Sequence, residues 1–192
     1  MYNYYKLARD KAWDVLIELQ INKLPIRLSP IARYYGIRIV SYSDSNLNHN
    51  KSEDGYSTRI NDKFIIYYNE HKPPQRIRFT LAHELGHCLL NHIRDNEITY
   101  RYNSENDGIK DINELQANVF ARDLLMPATV LHRLNISSAD DISNICNVSL
   151  QSAKIRYKRL LELDTRGMYN KHPLEKQVHS QFKNYINNKI KI

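Results

Sequence analysis

Hydrophobic positions along the chain switch between two periods. Ala8, Ala12, Val15, Leu16 and Leu19 recur at helical spacing and predict a helix over Tyr5–Gln20, with Trp13 as a core anchor. Ser29-Pro30 and Gly36 bracket a short second helix: Ser suits the N-cap, Pro the first turn and Gly the residue past the end. Strand signals follow at Ile37–Tyr42, then at Gly55–Ile60 and Lys63–Tyr68. The last two are joined by Asn61-Asp62, a pair suited to a two-residue hairpin turn. Residues 43–54, mostly Ser, Asn, Asp, Lys and Glu, are expected to form a mobile loop.

Pro73-Pro74 then opens a helix, Pro74 fitting its first turn. Phe79, Leu81, Ala82, Leu85, Cys88, Leu89 and Leu90 give that helix a broad apolar surface, yet His83, Glu84 and His87 stand among them. A core helix rarely accepts such residues, because a buried polar group without partners costs free energy. Residues 93–110 are polar and irregular. Asp111–Met126 is the next helix, with Ile112, Leu115, Val119 and Leu124 on its inward side and Pro127 stopping it. Pro127–Leu134 predicts another short helix. Ala139–Cys146 and Ser149–Leu163 predict a helix pair around Asn147-Val148, a spacing like that of a helix-turn-helix. Beyond Asp164 the chain turns polar, Gly167 and Pro173 act as breakers, and only Phe182–Ile192 has weak helical character. The elements predict an α+β fold. A small sheet of about three strands packs on helices over residues 1–134, a helix-turn-helix-like module follows over 135–164, and a basic tail occupies 165–192.

At 192 residues the chain is long enough to bury a core without covalent staples, and its two cysteines, Cys88 and Cys146, make no disulfide framework. The Tyr-rich start lacks the apolar segment of a secretory signal. No apolar run approaches the roughly 18 residues of a membrane span. A reducing, cytoplasmic setting is therefore expected. Residues 1–150 balance 18 basic against 18 acidic side chains, while residues 151–192 carry 10 against 3, the whole of the net charge of +7. That excess admits contact with nucleic acid or an acidic protein. No aromatic-basic pattern accompanies it, so a solvated tail and helix face is the plainer reading.

His83-Glu84-Leu-Gly-His87 is the H-E-x-x-H pattern. On a helix, residues four apart share a face, so both imidazoles can point at one metal ion, and Glu84 can reach a water bound to it. Cys88 points about 100° around the helix from His87 and reads as a small buried residue. His92, five residues past His87, falls off the ligand face. A catalytic zinc takes three protein ligands, so a third must come from elsewhere. Glu114 and Asn118 lie on one face of the later helix, the first a candidate ligand and the second a hydrogen-bond partner for a ligand histidine. Glu97, Asp107 and Asp111 compete for the ligand role. Tyr100, Arg101, Tyr102, His92 and His71 are candidates for stabilising an oxyanion.

Three segments carry a resemblance. They are Leu24-Pro-Ile with Ile31-Ala-Arg-Tyr-Tyr-Gly-Ile37, Arg78-Phe-Thr-Leu-Ala-His-Glu-Leu-Gly-His87, and Glu114-Leu-Gln-Ala-Asn-Val-Phe-Ala-Arg-Asp-Leu-Leu-Met-Pro127. Together they resemble the ImmA/IrrE family of zinc metallopeptidases, over roughly residues 24–163. The resemblance implies a zincin-like catalytic domain with a gluzincin-like site whose third ligand, a Glu on the helix that ends in Leu-Met-Pro, maps onto Glu114. Many members have a second acid just before the Ala-Asn pair. This chain has Gln116 there, and an amide is a poor zinc ligand, which strengthens the case for Glu114.

The function so implied is that of a regulatory metalloendopeptidase. His83, His87 and Glu114 hold one zinc ion, Glu84 is the general base, and Asn118 supports a ligand. Manganese is a possible substitute in a site of two His and one Glu. Relatives commonly cleave a helix-turn-helix repressor, often one encoded nearby on a mobile element or in a stress-response locus. A competing reading is a DNA- or protein-binding regulator with a structural or vestigial zinc site, in which Lys154, Arg156, Lys158 and Arg159 contact phosphate. A different zinc hydrolase, an amidase or deformylase, is a third. Intact His83, Glu84 and His87 favour the peptidase, since a structural site has no need of the base.

Overall fold

The structure, a computed structural model, describes residues 2–94, 98–99 and 108–190; at 2–3, 98–99 and 108–111 it describes the backbone course only. In chain order the elements are α1 (Tyr2–Glu18), α2 (Leu28–Tyr34), β1 (Arg38–Ser41), β2 (Gly55–Ile60), β3 (Lys63–Tyr68) and α3 (Pro74–Leu89). They continue with β4 (Ile98–Thr99), α4 (Gly108–Leu125), α5 (Ala128–Arg133), α6 (Ala139–Cys146), α7 (Leu150–Thr165) and α8 (Pro173–Ile190). Contacts divide the chain into two units: residues up to 8 with 27–121, and residues 9–26 with those from 122 onward. Helices α1 and α4 each run from one unit into the other.

The first unit holds a four-stranded sheet in the order β1-β3-β2-β4, so the three predicted strands are joined by a two-residue fourth. β1 runs parallel to β3, and β2 antiparallel to β3 and β4. Asn61 and Asp62 turn the β2–β3 hairpin with φ of 48° and 63°, the left-handed pair that a two-residue turn requires. Because β3 sits between β1 and β2, residues 42–54 must cross over it. His49 accordingly stacks on Tyr42, at 4.1 Å between ring centroids, and its ring also meets Tyr56 and Tyr67. Asn69 Nδ2 donates to the carbonyls of Lys51 and Glu53. The segment expected to be a mobile loop is thus pinned across one sheet face. Its polar composition misled because one histidine and a bonded Asn do the anchoring.

Helix α3 covers the opposite face. Pro73 is its N-cap and Pro74 opens its first turn, as predicted. Side chains alternate along a strand, so Gly55 and Ser57 of β2 share this face. A Cβ at Gly55 would lie 2.7 Å from the Tyr67 carbonyl oxygen and 2.8 Å from Thr80 Cγ2, so glycine suits the close approach of both β3 and α3 here.

The second unit is helical. Ser138 and Asp141 form a reciprocal capping box at the start of α6, and Asn147 ends it in the left-handed conformation (φ 53°). Ser149 then caps α7. Of the residues expected to form a basic tail, 173–190 fold as α8, an 18-residue helix. Pro173 is its first residue, where a missing N–H costs nothing, rather than a breaker. Val178, Phe182 and Ile186, one turn apart, are its buried stripe, and Gln181 Nε2 donates to the carbonyls of Leu16 and Ile21. No helix among the described residues is long and apolar enough to cross a membrane.

Candidate metal centre

Helix α3 presents His83 and His87 one turn apart, both nearly sealed from solvent at 1% and 2% exposure. Their Nε2 atoms face each other at 3.0 Å. Glu114, near the start of α4, closes the group from the other side. Its Oε2 lies 3.3 Å from His83 Nε2 and its Oε1 3.1 Å from His87 Nε2. One ligating atom from each of the three residues lies within 4.8 Å of the others.

The chemistry of this donor set fits a divalent metal ion. Two imidazole nitrogens and one carboxylate oxygen are the three ligands of a catalytic zinc site with a position left for water. The outward nitrogens are already engaged. His83 Nδ1 lies 3.0 Å from Asn118 Oδ1, an atom that can only accept, so Nδ1 carries the proton and the Nε2 lone pair points inward. His87 Nδ1 lies 3.2 Å from His92 Nδ1. Burial alone would raise the Glu114 pKa. With both rings protonated, hydrogen bonds from His83 and His87 and their charge outweigh it and hold the carboxyl well below the usual range.

Backbone contact between the two helices makes this convergence possible. A Cβ on Gly86 would sit 3.1 Å from Phe120 Cδ1 and 3.2 Å from Ala117 Cα. Glycine at 86 lets α4 come close enough for Glu114 and Asn118, one turn apart, to reach the two histidines.

Glu84 is also buried, and Ser57 Oγ donates to its Oε2 at 2.7 Å. Nothing in the sequence pairs residue 57 with residue 84. The one signal available is a small hydroxyl at an inward-facing strand position. Cys88 is buried, as expected, and burial pushes its thiol well above the ordinary range, leaving it unreactive.

Other predicted residues fall elsewhere. His92 bonds to His87 and Gln116. Burial, helped by His87, lowers its pKa to about 4, so the ring is neutral at physiological pH. His71 is exposed beside Glu70. Tyr100, Arg101, Tyr102, Glu97 and Asp107 lie outside the described residues, as does the side chain of Asp111. Of the four basic residues expected to meet phosphate, Lys154 and Lys158 are exposed. Arg159 bonds to Glu162 at 2.6 Å. Arg156 does not serve: it is 1% exposed, with Nη2 on Asp123 Oδ1 at 2.7 Å and Nε on the Met126 carbonyl at 2.8 Å. It lies on the buried side of α7 with Ala153 and Leu160, away from the exposed lysines.

Residues 32–158, about two thirds of the chain, match the sequence profile described as the IrrE N-terminal-like domain of peptidase family M78. The chain is also similar to the radiation response metalloprotease IrrE of Deinococcus deserti, at 38% identity over 72 residues, 36% of this chain and 25% of that protein. The chain thus spans about a quarter of the length of the curated relative it matches. A profile that takes in both α3 and the Glu114 turn of α4 settles the kinship: the chain belongs to the ImmA/IrrE family of metalloproteases.

Proposed function

We propose that this chain is a zinc-dependent metalloendopeptidase of regulatory type. The observation that carries the reading is the meeting of His83 Nε2, His87 Nε2 and the Glu114 carboxylate, with the outward nitrogens already bonded elsewhere. His83, His87 and Glu114 would hold the zinc ion, which would supply Lewis acidity to a water and to the scissile carbonyl. Manganese is the alternative ion for such donors. Glu84 takes the proton from the attacking water and returns it to the departing amine. Ser57 Oγ–H holds Glu84 Oε2, which fixes the carboxylate's orientation for both transfers. Asn118 and Glu114, carried by one turn of α4, hold the first histidine and complete the ligand set.

The substrate class follows from the family resemblance: a folded regulatory protein, in particular a helix-turn-helix repressor. On the DNA-binding alternative, α7 offers the exposed Lys154 and Lys158, with Arg156 buried and Arg159 paired, a small footprint for duplex recognition. The test is to incubate the zinc-loaded protein with the helix-turn-helix protein of the neighbouring reading frame. Wild-type protein is expected to cut it at a defined bond, and Glu84→Gln to retain zinc without cutting. Zinc-dependent cleavage by Glu84→Gln at the wild-type rate would overturn the assignment of the base.

A further inference from the structure

His92 looks at first like a histidine off the metal face, yet its position has a local cause. Helix α3 ends at Leu89 with Leu90 as its C-cap, and Asn91 takes the left-handed conformation (φ 57°) that Asn tolerates well. The Asn91 N–H bonds to the Cys88 carbonyl at 3.1 Å and the His92 N–H to the His87 carbonyl at 3.0 Å, the paired bonds of a Schellman cap. This turn folds the chain back so that the His92 ring meets the His87 ring, 5.2 Å between centroids. On its far side His92 Nε2 lies 3.1 Å from Gln116 Oε1, and Gln116 Nε2 lies 3.2 Å from the Tyr4 carbonyl.

We propose that Gln116 and His92 are positioning residues that fix the tautomer of His87, keeping its Nε2 lone pair directed at the metal; the proposal rests on His87 being a ligand. The direction of every bond can be read from the far end. A backbone carbonyl only accepts, so the Gln116 amide must turn its NH2 to Tyr4 and its oxygen to His92. That oxygen only accepts, so His92 Nε2 carries the ring's proton. A neutral imidazole has one N–H, which leaves His92 Nδ1 with a lone pair. His87 Nδ1, 3.2 Å away, must then be the donor. One nitrogen of His87 is left without a proton, Nε2, and it faces His83 and Glu114. Asn118 does the same for His83 in a single step. Remove the acceptor at 116 and His92 is free to carry its proton on Nδ1. Two N–H groups would then oppose each other, and the His87 proton would be driven to Nε2, where it competes with the ion.

Nitrogen NMR of the ring nitrogens tests this in both metal-free and zinc-loaded protein. At mildly alkaline pH, His92 is expected to be protonated on Nε2 in both forms, with scalar coupling between its Nδ1 and His87 Nδ1 across the hydrogen bond. In Gln116→Met, which keeps the side-chain shape and removes the acceptor, that tautomer preference is lost and zinc affinity falls about tenfold. Protonation of His92 on Nδ1 in the wild type, or unchanged zinc affinity in Gln116→Met, overturns the relay. Should Gln116→Met fail to fold, the wild-type His92 tautomer decides alone. Zinc competition on wild-type protein separates the two ideas: a chain with the expected His92 tautomer that takes up no zinc has the relay without the metal site.

Discussion

Gly86 and Ala117 touch backbone to backbone: a Cβ on the first would lie 3.2 Å from the Cα of the second and 3.3 Å from its carbonyl oxygen. That contact sets how near Glu114 comes to His83 and His87. Gly86→Ala is expected to push α4 outward, costing about 1–3 kcal/mol of stability through overpacking and weakening zinc binding at least tenfold. Denaturant midpoints and chelator competition measure the two effects. Wild-type zinc affinity in Gly86→Ala would show that the helix contact does not position the ligands.

Asn118 holds His83 through Nδ1, so Asn118→Ala should lower zinc affinity about 10- to 100-fold without removing a ligand. Asn118→Asp keeps an acceptor at that position and should recover most of the loss. The pair of variants, titrated against a chelator, separates an acceptor role from a packing role.

Ser57 should matter to turnover and not to the metal. Ser57→Ala removes the hydroxyl bonded to Glu84 Oε2, and we expect kcat to fall about tenfold, equivalent to roughly 1.4 kcal/mol, with zinc content unchanged. Single-turnover cleavage and zinc analysis on one preparation provide both readings. Zinc loss in Ser57→Ala would place the residue in the metal support instead.

Asp123 and Arg156 form a buried pair, and Asp123 also meets Arg122 Nη2 at 2.5 Å. Burial would raise the Asp123 pKa, but Arg122 and Arg156 outweigh it and hold the carboxyl below its ordinary value. A depressed folded-state pKa means the stabilisation is fully present above about pH 4 and disappears as pH falls through the folded value. Asp123→Asn leaves the Arg156 charge buried without its counter-ion and should cost about 3–5 kcal/mol at neutral pH. Its acid-unfolding curve should also be flatter than that of the wild type. Equal stability of the two proteins at neutral pH would show that the pair contributes nothing there.

Much of the fold was readable where local signals were strong. Pro73-Pro74 marks the start of α3, Asn61-Asp62 the hairpin, and the break at Asn147 the end of α6, each because one residue type meets a specific backbone demand. Glu114 and Asn118 could be picked out because a helix turn puts them on one face. The contact of His92 with His87 could not, because counting five residues along a helix fails once the helix ends at Leu89 and Asn91 reverses the chain. Pro173 misled in a similar way: a proline inside a polar stretch is a breaker or a first-turn residue, and the burial of Val178, Phe182 and Ile186 decides which. Arg156 and Ser57 depend on tertiary partners 33 and 27 residues away, which no local pattern encodes.

The central claim is that His83, His87 and Glu114 hold one ion while Glu84 moves the proton. Zinc content after exhaustive dialysis, measured side by side for the wild type, Glu84→Gln and Glu114→Ala, tests it most directly. We expect one zinc per chain in the wild type and in Glu84→Gln, and little or none in Glu114→Ala. Stoichiometric zinc in Glu114→Ala, or its loss in Glu84→Gln with Glu114 intact, would contradict the account.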